Sequence, residues 1–134
     1  MTIATDNVGI GTDGDGEGHY VEGDDAEFAF EVTDESGAEV DLSSVTEITW
    51  LFADSEYSDT THAEKTQSGG GITVDDDGGN LSEQSRVVVS VAGADTDGFG
   101  GDSYYHELEI EDAAGDKETA AKGTFVIRDS PNDP

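Results

Sequence analysis

The chain has 134 residues, with 33 acidic against 5 basic side chains, a net charge of −28, 33% apolar residues and no cysteine. That length and apolar content allow one modest core and exclude two, and the missing thiols exclude disulfides and thiolate metal sites. The lack of a basic patch excludes a nucleic-acid partner, which needs cations to displace counterions.

The acidic residues are interleaved with the whole sequence and not gathered in a tail. High net charge with low hydrophobicity favours disorder, but ordered alternating apolar runs oppose it here. In dilute buffer such a surface repels itself and resists compaction. Molar salt shortens the Debye length to roughly 3 Å and removes most of that repulsion. The balance points to a protein that works in near-saturating salt, as in a halophilic archaeon or its viruses. Two other readings of the charge are an acidic protein made for a basic partner and a calcium-loaded extracellular module. The first residues show no basic segment followed by an apolar one, and no run approaches the length of a membrane span. The expectation is no membrane partner and assembly in the host cytoplasm.

Val and Ile together number 17, Leu 4 and Thr 13, a composition of β-branched residues that favours strands. Residues 1–18 read as an extended Gly/Asp-rich arm. In AEFAFEVT, Phe28, Phe30 and Val32 share one face and the DESG that follows is a turn. AEVDLSSV is a short extended piece, and TEITWLFAD then puts Ile48, Trp50 and Phe52 on one face, with Trp50 at the centre of the expected core. The polar stretch from Ser55 to Ser68 is irregular, with room for an edge strand around Ala63 to Gln67. Glycine turns enclose a short strand from Ile72 to Val74. RVVVSVAG alternates Val87, Val89 and Val91 inward. ADTDGFGG is a turn or a single helical turn, since its aspartates satisfy local backbone donors and its glycines end it.

SYYHELEIED sets Tyr104, His106, Leu108 and Ile110 on one face and Tyr105 on the other, beside Glu107, Glu109 and Glu111. DAAGDK is a hairpin turn, and ETAAKGTFVIRD returns with Phe125 and Ile127 inward. Seven or so short strands with turns every 8 to 12 residues imply an all-β chain, an antiparallel β-sandwich of immunoglobulin-like type. The sandwich spans residues 19–128 and a tail follows over 129–134.

Three stretches carry a resemblance: GDDAEFAFEVTDESGAEVDLSSVTEITW, GGGITVDDDGG, and VVVSVAGADTDGFGGDSYYHELEIEDAAGDKETAAKGTFVIRDSP. Together they resemble small immunoglobulin-like virion proteins of tailed phages, a group that includes the N-terminal domain of baseplate upper proteins. The shared pattern covers about Gly23 to Arg128. The Ser55–Ser68 insert and the N-terminal arm depart from it. The resemblance implies a structural role in a virion, in the tail, baseplate or head surface. With the salt argument, that virion is one of a tailed virus of haloarchaea.

Candidate sites are few. Asp13, Asp15, Glu17 and Asp24 follow the order of a twelve-residue calcium loop. Position five is Glu, however, the closing acid is the short Asp, and no amphipathic helices flank the stretch. A solvated acidic arm is the simpler reading, so no cofactor is expected beyond weak binding of calcium, magnesium, sodium or potassium. His19, His62 and His106 lie far apart in sequence; only His106 falls in a strand, on the inward face, where hydrogen bonding explains it without zinc.

No nucleophile elbow, phosphate loop or dinucleotide fingerprint is present, and carboxylate pairs are too abundant to single one out. No enzyme is expected. Tyr20, Tyr57, Phe99 and Tyr105 sit in polar surroundings and are candidate interface anchors, since aromatics bury large areas at low entropic cost. The leading function is non-enzymatic assembly with other virion proteins, as a homo-oligomer or symmetric array. The alternatives are a host-surface carbohydrate or receptor-binding module, with Tyr57 and His62 as its platform, and a cellular haloarchaeal surface-layer or adhesion domain.

Overall fold

The computed structural model describes residues 3–7, 9–10 and 20–130. Among the described residues nine strands form in chain order: β1 (Asp6–Asn7), β2 (Tyr20–Val21), β3 (Ala26–Glu31), β4 (Glu47–Ala53), β5 (Thr61–Thr66), β6 (Ile72–Asp75), β7 (Arg86–Val91), β8 (Asp102–Glu111) and β9 (Lys117–Arg128). One short helical turn, α1 (Gly93–Thr96), lies between β7 and β8. In β4 and β8 the alternating runs fold as their period requires, with alternate residues buried.

One sheet has the order β1-β9-β8-β4-β5, with β2 also on β9, and the other has the order β3-β7-β6. β1 and β2 run parallel to β9, whereas the other ladders are antiparallel. This is an all-β sandwich whose strand order is immunoglobulin-like: β3, β7 and β6 stand where strands B, E and D do, opposite a sheet equivalent to G, F, C and C′.

Trp50 on β4 is fully buried, as are Ile48, Phe52, Val87, Val89, Leu108, Ile110 and Phe125; Phe30, Val32, Val91 and Ile127 are buried too. Phe28 differs from the expectation. It is only partly buried because β3 is an edge strand, although its ring still meets Tyr20, Trp50 and Phe125. Trp50 pairs in register with Leu108, and its Nε1 donates to Nδ1 of His106 at 3.2 Å. The Phe30 ring faces His106 at 6.0 Å. Tyr104, two residues before His106, donates its hydroxyl to the Phe99 carbonyl at 3.0 Å, the corner bond expected where this kind of sandwich turns into strand F.

Within the extended arm read over 1–18, the described residues are held against the sandwich. Ile3 and Ile10 are buried in the core. Asp6 and Asn7 pair with Ala121 and Lys122, Ile10 bridges to Phe125, and Ile3 bridges to Asp34. The physical reason is the exposed edge of β9, whose backbone groups the segment satisfies. The tail also begins tied down: Ser130 donates its backbone N–H to Glu22, a buried carboxylate that also accepts Gly98 N at 2.9 Å and Gly100 N at 3.2 Å.

Candidate functional site

The four proposed aromatic anchors separate. Tyr20 is buried and belongs to the core, which corrects its reading as an interface residue. Its ring lies 5.4 Å from Phe125 and 5.7 Å from Phe28. Burial is tolerated because the hydroxyl is satisfied: it donates to the Asp24 carbonyl at 2.7 Å and accepts from Thr96 Oγ1 at 2.7 Å, while Gly23 N donates to the same threonine oxygen. Phe99 is also a packing residue more than a free anchor, half-buried against His62 at 4.6 Å and Phe52 at 5.6 Å.

Tyr57, by contrast, is 89% exposed on the turn between β4 and β5. Tyr105 lies on the outer face of β8, half-buried, between Ala53 of β4 and Thr124 of β9. Burial, and then the charges of Glu107 and Glu56, push its phenol up to about 12. Glu107, two residues along the same face, is raised by burial and by the charges of Glu109 and Glu56.

Two grooves border this sheet, one at β5 and one at β8 and β9. The first, of about 840 Å³, runs beside β5: Glu64, Lys65 and Thr66 form one wall, Asp25–Glu27 and Ser90–Ala92 the other, and Gly69–Gly71 one end. β5 is a terminal strand of its sheet. Gln67 N donates to Ile48 O and Trp50 pairs with Lys65, so the odd-numbered residues bond inward to β4. From Ala63 to Gln67 that alternation leaves the backbone N–H of Glu64 pointing away from β4, along the free edge, before the register shifts at Thr61–Ala63. Lys65 binds Asp95 of α1 at 2.8 Å and ties that edge to the helical turn.

The second groove, of about 630 Å³, is lined by Thr5, Asp54, Glu56, Ser103, Tyr104, Tyr105, Lys122, Gly123 and Thr124. Lys122 Nζ lies 3.3 Å from Glu56, and Asp54 Oδ1 lies 2.7 Å from His62 Nε2. His62 itself is sandwiched among Phe52, Phe99 and Tyr104. It therefore holds Asp54 in place and does not form an open platform with Tyr57, as the sequence had implied. Asp54, Glu56 and Lys122 were not singled out from the sequence. Two carboxylates among 33 acidic residues carry no signal, although a lysine in a chain with 5 basic side chains is rare enough to have been one.

Asp13, Asp15 and Glu17 lie outside the described residues, as does His19. Asp24 is exposed, and among the described residues no group of three or more His, Asp or Glu is arranged to hold a metal ion. His106 is buried with Nδ1 accepting from Trp50, so as a neutral ring it carries its proton on Nε2.

No protein-family model matches the chain, and no curated protein matches it. Among solved structures it is similar to the SrpA adhesin R347E mutant from Streptococcus sanguinis, with 18% identity and a TM-score of 0.41 over 83% of this chain. The chain spans about half of that adhesin chain, 54% of its length.

Proposed function

We propose that the chain is a non-catalytic structural domain that assembles with neighbouring protein subunits, taking an extended strand of a neighbour onto the open edge of β5. The observation that carries this reading is that edge itself: the backbone donor and acceptor of Glu64 face a groove about 840 Å³ in volume. Unpaired strand edges are ready templates for strand addition, where main-chain bonds supply affinity and alternate side-chain pockets supply selectivity. Ala26, Val91 and Ala92 in the groove walls offer small apolar contacts, and Gly69–Gly71 allow close backbone approach. Exposed Tyr57, on the turn that leads into β5, adds an aromatic anchor at the other end of that strand.

The finer reading places this domain in the particle of a tailed virus of a hypersaline host. It is supported by the resemblance of Gly23 to Arg128 to virion proteins and by the net charge of −28. In molar salt, charge steering between subunits is screened, so backbone pairing and aromatic burial are the contacts that keep their strength.

The test is Glu64→Pro. Glu64 is exposed and its N–H faces away from β4, so proline removes an edge donor and leaves the β4 ladder intact. Competed against the natural chain in a particle-incorporation assay, the variant should be incorporated about tenfold less, for one or two lost backbone bonds of about 1 kcal/mol each. Its thermal unfolding should match the natural chain's. Equal incorporation of a folded variant would refute the edge as the assembly contact.

A further inference from the structure

The second groove has a chemistry different from the first. β8 lies between β4 and β9, and β9 lies between β8 and the N-terminal strands, so the backbone groups beneath the groove are already engaged in ladders. A peptide strand finds no free edge there. What the groove offers is side chains: the hydroxyls of Thr5, Ser103 and Thr124, the carboxylates of Asp54 and Glu56, the Lys122 ammonium and the ring of Tyr105.

We propose that this groove binds an uncharged pyranose, with the sugar's apolar face against Tyr105 and its hydroxyls shared among Asp54, Glu56, Lys122 and Thr124. A pyranose needs donors and acceptors in alternation around a flat apolar face, and this lining supplies both. The volume of about 630 Å³ falls within the roughly 300–1,000 Å³ of small-ligand sites. Asp54 and Glu56 are each held by a partner, His62 and Lys122, and are therefore oriented before a ligand arrives. Held neutral by burial and by the neighbouring carboxylates, Tyr105 keeps an uncharged ring face. Charge selects the class of sugar. Carboxylates of Asp54, Glu56 and nearby Glu107 outnumber the single ammonium, so an acidic sugar meets repulsion that a neutral one does not.

This inference goes beyond the assembly reading and does not depend on it, because the two grooves share no residue. The test is saturation-transfer NMR of the full chain in molar KCl with methyl hexopyranosides, lactose, maltose, glucuronic acid and an uncharged extended peptide as probes. Saturable transfer to at least one neutral saccharide is expected, with glucuronic acid about tenfold weaker. Tyr105→Ala should abolish the transfer. Thr124→Arg fills the groove from an exposed position and should abolish it too, without touching the core. Glu64→Pro should leave it unchanged. No transfer to any neutral saccharide, transfer that persists in Thr124→Arg, or transfer to the peptide alone would each overturn the proposal.

Discussion

Trp50 and His106 share one hydrogen bond in a part of the core that solvent does not reach, and a double-mutant cycle isolates its energy. His106→Leu leaves the indole N–H buried without its acceptor, at a cost of about 1–3 kcal/mol. Trp50→Phe leaves Nδ1 without its donor, at a similar cost, and adds about 1 kcal/mol for a void of ~40 Å³. In the double variant both polar partners are gone, so the penalty of an orphaned group disappears while the void and the other contacts of the imidazole cancel around the cycle. The double variant should therefore be about 2–6 kcal/mol more stable than the sum of its single changes predicts, since both orphan penalties vanish. Urea unfolding followed by tryptophan fluorescence suits the natural chain, and far-ultraviolet circular dichroism suits all four. Guanidinium is avoided because it is a salt and screens the charge being held constant. Additivity within about 0.5 kcal/mol would show that the bond contributes nothing specific.

Tyr104→Phe removes only the hydroxyl that reaches Phe99 O and should cost about 1 kcal/mol in the same assay; no loss would mean that the corner bond is idle. Dilution from molar to millimolar KCl should unfold the chain, because its net charge of −28 is then unscreened; a compact, unchanged circular dichroism spectrum would refute salt dependence. The pH profile has two opposed contributions. Asp34, Asp41, Glu47, Asp75 and Asp112 are held below their usual values by hydrogen bonds, to Ser36, Ser43, Ser68, Arg86 and Asp116 respectively. Their stabilisation is present above the ordinary carboxylate range and is lost as pH falls through the lowered values. Glu107 is raised, so its ionised form opposes folding at neutral pH. Glu107→Gln should melt higher than the natural chain at neutral pH, and the gap should close as the medium is acidified; a constant gap would refute the assignment.

Most strands are legible because the core faces are set by period-two alternation, from Phe30 and Val32 through Ile48, Trp50 and Phe52 to Phe125 and Ile127. The inward phase of His106 follows from Tyr104, Leu108 and Ile110 in the same way. Contacts between remote segments carry no such signal. Ile3 and Ile10 sit in a stretch without alternation, and their partners Asp34 and Phe125 are distant in sequence. Tyr20 misleads because its neighbours are polar; the donor and acceptor that permit its burial come from Thr96 and Asp24, only one of them local. The second groove is built from four separate parts of the chain, with Thr5, Asp54, Ser103 and Lys122 far apart in sequence. No local pattern announces it.

The absence of cysteine takes on meaning once the strand order is known. In antibody-type sandwiches a disulfide ties strand B to strand F beside the buried tryptophan of strand C, two residues beyond the corner tyrosine. Counting from Tyr104, that position is His106, and the residue facing it from β3 is Phe30, at a ring separation of 6.0 Å. Trp50 meets His106, Phe28, Phe52 and Phe125 within 6.2 Å. Aromatic pairs contribute about 0.5–1.5 kcal/mol each beyond area burial, so four of them match the ~2–4 kcal/mol typical of a disulfide. The two devices act on different states. A disulfide restricts the unfolded chain whatever the solvent, whereas ring packing favours only the folded form and varies with the salt around it. A sandwich joined by packing alone, under a coat of 33 acidic side chains, therefore has both its cohesion and its self-repulsion governed by one variable, the ionic composition of its medium.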